Sequence, residues 1–307
     1  MKRQVDIKLV SVLLCFFLPK SLGVSDRDLD HLAEEYGRQG FASPVPVFSS
    51  QEVSDLRDLF DRLEAAQPGG HFPGQAHNLH LANLEVWEWV RHPMLTRATE
   101  RVAGFEPGEL LVFASTFVTK YPVSDAMDPS VDTRFGWHQD VLYWDLEPRQ
   151  SLTAWIAIDP VTEQSGCVRM IAGNHTGVEH EHTYLPHADN MLLSKKEIVG
   201  GDFEELQENT CVVLNAGEMS VHDGWTPHGS GPNQSPYRRA GLVLNYMPAN
   251  ATLQPSREGY GSIEDGALIE EFRKPVDPGN SAFPPRVLQV PPVHERWRVS
   301  SIANSEL

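Results

Sequence analysis

Apolar residues spaced three and four apart dominate the first third of the chain, and short unbroken apolar runs dominate the middle. Residues 25–40, SDRDLDHLAEEYGRQG, open on a Ser/Asp cap, carry spaced apolar positions and end at glycine, which predicts a helix. A second helix is predicted from Ser50 to Ala66, where a capping serine precedes Val53, Leu56, Leu59, Phe60 and Leu63 on one stripe. PGGHFPG breaks it, and a third helical segment runs roughly from Leu84 to Val102, ending at Gly104. After Gly108 the runs LLVFASTFVT, VLYW, SLTAWIAI, GCVRMIA, TCVVLNA and AGLVLNYM alternate with turn clusters. Short strands at this spacing predict a mostly β protein with flanking helices, its core a double-stranded β-helix of the jelly-roll, cupin-like kind. No internal repeat or clean linker marks a second domain. The expected organisation is a single domain over residues 24–307: a helical part at 25–105, a jelly-roll core at about 108–248, and an irregular, proline-rich tail containing NSAFPPRVLQVPP.

Residues 1–23 stand apart. Lys2 and Arg3 precede the apolar run LVSVLLCFFL, and Ser21-Leu22-Gly23 follows with small residues, the outline of a signal peptide. Asp6 and Lys8 intrude on that outline, and the run is too short to span a bilayer. The segment reads as either a signal peptide, with a secretory destination, or an N-terminal extension on a cytoplasmic protein. Asn174, Asn233 and Asn250 begin N-x-S/T sequons that count only in the secretory case.

Composition narrows the function. Lys plus Arg is 25 against Asp plus Glu 42, a formal charge of −17 that repels phosphate backbones and argues against nucleic acid as partner. The three cysteines, Cys15, Cys167 and Cys211, form no C-x-x-C pair, so neither a zinc knuckle nor a disulfide scaffold is expected. Cys167 and Cys211 read as buried free thiols.

The candidate chemistry starts in FGWHQDVLYW, residues 135–144. Read as a strand, the segment sends His138 and Asp140 to one face. Imidazole plus carboxylate suits a borderline divalent metal, but H-x-D alone fits a hydrogen-bonded core pair equally well. Residues 217–246 offer a third ligand. His228 begins the turn HGSGPNQS, which returns the chain through Arg239 into the last apolar run. His138, Asp140 and His228 then compose a 2-His-1-carboxylate facial triad, the pattern of non-haem Fe(II) oxygenases. Its open positions would accept a bidentate keto-acid whose far carboxylate meets a guanidinium fork.

These motifs resemble the phytanoyl-CoA dioxygenase family of Fe(II)/2-oxoglutarate oxygenases. Trp137-His138-Gln139-Asp140, Trp155-Ile156-Ala157, SGCVRMIAGNH and HGSGPNQSPYRR occur in that family's order over roughly residues 34–247. The family's oxoglutarate arginine stands eleven residues past the distal histidine, which selects Arg239 over Arg238. The resemblance implies Fe(II) held by His138, Asp140 and His228, 2-oxoglutarate held by Arg239, and ascorbate as reductant in vitro. It further implies O2 as co-substrate and hydroxylation of a small-molecule C–H with release of succinate and CO2. Lys120 resembles a family position that contacts cofactor or substrate, though exposure is the default for a lysine at a strand end. Trp155 aligns with a tryptophan lining the oxoglutarate pocket, though WIAI also reads as plain core. The family's P-G-[ST]-H turn reads Ala172-Gly173-Asn174-His175 here. Because Asp140 is present, hydroxylation is expected rather than halogenation. HQDVLYW, NMLLSKKE and GEMSVHDG further resemble a bacterial branch acting on amino-phosphonates and similar small amines.

Other histidines have their own readings: His222 is a rival ligand by type but fails on its spacing to the arginines, which leaves a place beside the triad or in the core; His80 is within reach of the cavity mouth but reads as a surface residue; and His175, His180, His182 and His187 read as mostly solvated over a substrate loop. Selectivity is expected in the N-terminal helices and around residues 122–135 and 175–205. Two alternatives would dispense with the keto-acid: a non-catalytic jelly-roll ligand-binding module, and a cupin-type metal isomerase or hydrolase.

Overall fold

Ser25 and Ser49 each build a reciprocal capping box, with Asp28 and Glu52 respectively, and so fix where the first two helices begin. In the computed structural model these are α1 (Asp26–Gln39) and α2 (Ser50–Ala65). The structure describes residues 24–253 except 73–74, 82, 124–133, 145, 186–189, 193–195, 201–202, 204–205 and 207. The expectations for residues 1–23, for the proline-rich tail and for His187 lie outside the described residues.

The third predicted helix is two: α3 (Leu84–Val90) and α4 (Pro93–Ala103). Pro93 drives the preceding residue out of helical conformation, and His92 takes an extended ψ of 127° and caps α4 by accepting from the Met94 N–H. The strands are β1 (Phe41–Pro46), β2 (Gln75–His77), β3 (Leu110–Lys120), β4 (Phe135–His138), β5 (Leu146–Glu147), β6 (Leu152–Ala157) and β7 (Val168–Ile171). They continue as β8 (His182–Tyr184), β9 (Lys196–Ile198), β10 (Asn209–Val212), β11 (Glu218–Asp223), β12 (His228–Ser230), β13 (Arg239–Pro248) and β14 (Thr252–Leu253). VLYW is not a strand: the chain leaves β4 at His138 and turns through a 3-10 segment at Asp140–Leu142.

Two antiparallel sheets make the jelly roll. The larger has the order β1-β11-β6-β13-β3-β2, the smaller β10-β7-β12-β4. Alternation along the larger sheet assigns its two faces. Leu152, Ala154 and Ile156 on β6, with Leu242 and Leu244 on β13, pack in one core with Leu29 of α1, Leu56 and Phe60 of α2, and Leu95 of α4. Each such fully buried leucine, isoleucine or phenylalanine contributes about 1.5–3 kcal/mol of transfer free energy, which fixes the helices to this face. The alternate residues Thr153, Trp155, Arg239, Val243 and Asn245 face the smaller sheet and line the cavity between the sheets. No helix among the described residues is long and apolar enough to cross a membrane.

Candidate active site

The strand register orders the cavity floor. His222 pairs with Thr153, and Thr153 with Asn245, so these three side chains lie in one row across β11, β6 and β13. A second row runs Trp155, Val243, Thr116 and His77, and Arg239 pairs with Lys120 farther along. From the opposite sheet, β12 and β4 bring His228 directly across from His138.

Asp140 sits where the two sheets' polar groups converge. Its Oδ1 lies 3.6 Å from His138 Nε2 and 3.7 Å from His228 Nε2. These three residues, all buried, offer ligand atoms within 4.8 Å of one another. Each ring is oriented by a carbonyl, which can only accept: His138 Nδ1–H donates to Gly136 O (2.7 Å) and His228 Nδ1–H to Thr226 O (3.0 Å). Both Nε2 lone pairs are thereby turned towards Asp140, the arrangement a ligating histidine needs. Burial pushes the His138 and His228 imidazoles down, keeping them neutral. Burial alone would raise the Asp140 carboxyl, but its attraction to the His228, His222 and His138 rings, exerted when one of them carries a proton, outweighs it and holds the group below the usual carboxylate range. Two neutral imidazoles and one carboxylate, preoriented on a common point, form a donor set for a divalent ion of the iron type. The pair arises differently from the strand alternation expected: β4 ends at His138, and the 3-10 turn carries Asp140 back under it.

Arg239 is fully enclosed. One Nη2–H donates to Gly166 O (2.7 Å), while Nε and Nη1 are buried without a partner. The guanidinium lies 4.8 Å from the Trp155 ring centroid, and burial lowers its pKa only to about 10, so it is a cation at neutral pH. A buried cation with two orphaned donors suits an anion entering the cavity, as a keto-acid carboxylate would. Arg238 faces the other way, paired with Asp159, Asp61 and Glu64.

Lys120 is buried, against the default of exposure, and its ammonium donates to Ser230 Oγ (2.6 Å), Ser230 O (3.2 Å) and Gly231 O. It thus clamps the turn that follows His228. Trp155 lines the cavity and carries the Arg239 guanidinium. His222 is buried, its Nε2 3.6 Å from Asp140 Oδ2, and both ring nitrogens lack a hydrogen-bond partner. His80 is not on the surface: it is 5 % exposed, and its Nδ1 meets Ser115 Oγ at 2.6 Å. Its place in a 3-10 turn behind β3 buries it against Trp87. His175, His180 and His182 are half-buried, and His182 Nε2 accepts from the Gln139 N–H.

The expectation of free thiols fails as well. Cys167 and Cys211 are joined by a disulfide across the β7–β10 pair, with Cα atoms 5.7 Å apart. Sequence spacing cannot reveal a bond whose partners meet only through strand pairing 44 residues later. The sequon at Asn233 is closed, because that side chain is buried and donates to Lys120 O and Tyr237 O. Sequence reading also passed over Thr153 and Asn245, and gave Gln139 no role beyond its place in the motif. Gln139 ties the site to the neighbouring segment, donating to Val178 O and Trp225 O and accepting from the His180 N–H.

The whole cavity measures about 190 Å³. Beyond the groups above, His77, Gln75, Thr116 and Tyr143 give it polar edges, and Phe135, Leu192 and Val243 give it apolar walls.

Comparison with known proteins agrees with this fold. Residues 36–241 match the family model described as phytanoyl-CoA dioxygenase (PhyH). A probable alpha-ketoglutarate-dependent hypophosphite dioxygenase of Stutzerimonas stutzeri is 22 % identical, covering 84 % of this chain and 88 % of its own length. An ectoine dioxygenase of Bordetella parapertussis is 23 % identical over 81 % of this chain and 84 % of its own. Among solved structures, EvdO2 from Micromonospora carbonacea, complexed with 2-oxoglutarate, is 25 % identical with a TM-score of 0.58, covering 75 % of this chain and 94 % of that one. The epimerase SnoN, solved with Fe3+, alpha-ketoglutarate and nogalamycin RO, shares the fold with a TM-score of 0.62 at 21 % identity, covering 78 % and 93 %.

Proposed function

This chain belongs to the phytanoyl-CoA dioxygenase family and is an iron- and 2-oxoglutarate-dependent dioxygenase, and we propose that His138, Asp140 and His228 hold the iron while Arg239 holds the keto-acid. The observation carrying the assignment is the convergence of two imidazole lone pairs on Asp140 Oδ1 in a cavity that also encloses the orphaned donors of Arg239. Iron with 2-oxoglutarate supplies activation of O2 and oxidation of a substrate C–H, with release of succinate and CO2. The chain's own part is placement. Gly136 O and Thr226 O lock the rings, and the Trp155 face and Gly166 O fix the guanidinium fork where it can pair with a carboxylate. Lys120 acts at one remove, holding Ser230 and Gly231 and through them the strand that begins at His228. A non-catalytic binding module would leave the triad without a task, and a metal isomerase that takes no keto-acid would leave the orphaned Arg239 donors without one.

The substrate is a small molecule, and an amino-phosphonate or related small amine is the class to test first. Two relatives are named for small polar substrates, hypophosphite and ectoine, which supports that choice. Among the described lining residues Arg239 is the only cation, so a second anionic group would rely on hydrogen bonds from residues such as His77, Gln75 and Thr116. The test is succinate formation from 2-oxoglutarate with Fe(II), ascorbate and O2. Alanine at His138 or Asp140 abolishes it; turnover that survives either change defeats the metal assignment.

A further inference from the structure

Asp140 presents its two oxygens to different neighbours. Oδ1 faces the Nε2 atoms of His138 and His228, whereas Oδ2 accepts the Thr153 hydroxyl at 2.6 Å and stands 3.6 Å from His222 Nε2. Thr153 is buried and sits opposite Asn245 in the β6–β13 register. Asn245 Nδ2 donates to Thr153 Oγ1 at 2.9 Å. A hydroxyl has one proton and two lone pairs. With a lone pair taken by the Asn245 amide, its proton is committed to Asp140 Oδ2, and a charge-assisted bond results. The relay therefore runs in one direction, from Asn245 to Thr153 to Asp140.

We propose that Thr153 and Asn245 are positioning residues that make Asp140 a one-oxygen metal ligand, engaging Oδ2 and leaving Oδ1 for the ion. This rests on the triad reading above. Its consequence is chemical economy in the coordination sphere. A carboxylate free to bind through both oxygens would take an additional position, one that a chelating keto-acid and O2 require. A carboxylate tied at Oδ2 keeps that position open. Partners that orient ligands in this way are as much part of a metal site as the ligands, and their loss typically costs about 10- to 100-fold in metal affinity or activity.

The test uses the full chain without O2. Fe(II) binding is measured by calorimetry, and the Fe(II)–2-oxoglutarate chelate by its visible absorption, in wild type, Asp140→Ala, Thr153→Val, Thr153→Ser and Asn245→Ala. Thr153→Val is expected to weaken Fe(II) binding about 10- to 100-fold and to alter the chelate absorption, since Oδ2 is released. Thr153→Ser, which keeps the hydroxyl, stays near wild type, and Asn245→Ala falls between. Asp140→Ala separates the two claims. If it binds Fe(II) like wild type, the triad reading fails; if it loses binding while Thr153→Val does not, only the relay fails. Equal weakening by Thr153→Val and Thr153→Ser assigns the effect to packing and overturns the relay. Should Thr153→Val not fold, wild-type binding and absorption in Asn245→Ala overturn it.

Discussion

Gly241 lies beneath Trp155, so close that a Cβ at position 241 would stand 2.2 Å from the indole Cζ2. The absent side chain leaves room for the ring that carries the Arg239 guanidinium 4.8 Å from its centroid. The ring is buried and packed beside Phe41 and Ala157, so it cannot swing aside without disturbing its neighbours. Overpacking of this kind costs about 1–3 kcal/mol. Gly241→Ala is therefore expected to raise the 2-oxoglutarate Kd roughly tenfold while Fe(II) affinity holds, since the triad is on other elements. Calorimetry with each ligand in turn checks it, and an unchanged 2-oxoglutarate Kd would remove the shelf role of Trp155.

Arg239 gives a second prediction, because its stability cost and its binding role have opposite signs. Without ligand it is a buried cation with two unpartnered nitrogens, so replacing it by methionine removes an unfavourable charge along with the bond to Gly166. The ligand-free Tm of Arg239→Met is expected to change little. The rise in Tm on adding 2-oxoglutarate is expected to vanish, since truncating one partner of a buried charge pair costs about 2–5 kcal/mol of binding. A retained ligand-induced rise would mean that the keto-acid binds elsewhere.

The legible part of this site was its spacing. Helix starts at Ser25 and Ser49, the order of apolar runs, and the eleven-position step from His228 to Arg239 are properties of contiguous sequence. The illegible part depends on pairing between distant segments. Thr153 is an unremarkable threonine in SLTAWIAI until β6 sets it between His222 and Asn245. The same holds for Cys167 and Cys211, and for Lys120, whose strand-end position suggests solvent but whose ammonium meets the turn at Ser230. Two misreadings were local. Pro93 was a written break in the third helix, and the turn at Asp140 shows that a strand-like composition in VLYW does not secure extended backbone.

The disulfide should matter to stability and to the cofactor site together. Cys167 follows Gly166, the residue whose carbonyl holds Arg239 and which, at a φ of 76°, sits where an added Cβ would stand 2.5 Å from Gly231 O. For a closed loop of 44 residues, the chain-entropy relation gives about 4 kcal/mol of stabilisation. Cys211→Ser, or treatment with a reductant, is expected to lower Tm and to weaken 2-oxoglutarate binding more than Fe(II) binding. Thiol counting by mass spectrometry verifies the redox state, and equal losses for both ligands would argue against a link through Gly166.

His80 makes folding stability depend on pH. Burial lowers its pKa from 6.5 to about 4, with Nδ1 held at Ser115 Oγ. In the unfolded chain the imidazole takes up a proton near pH 6.5; in the folded chain it does so only near pH 4. Between those values the unfolded state binds more protons, so the stability contributed by the neutral ring is full above pH 6.5 and is lost progressively down to pH 4. A shift of this size corresponds to roughly 3 kcal/mol across the window. His182, whose pKa burial also lowers to about 4, adds to the slope in the same direction. Replacing His80 by glutamine removes its share, so denaturant titrations of His80→Gln between pH 7 and pH 4 are expected to show a shallower loss of stability than wild type. If the two proteins lose stability in parallel, His80 is not neutral in the folded state and the burial argument for it is wrong.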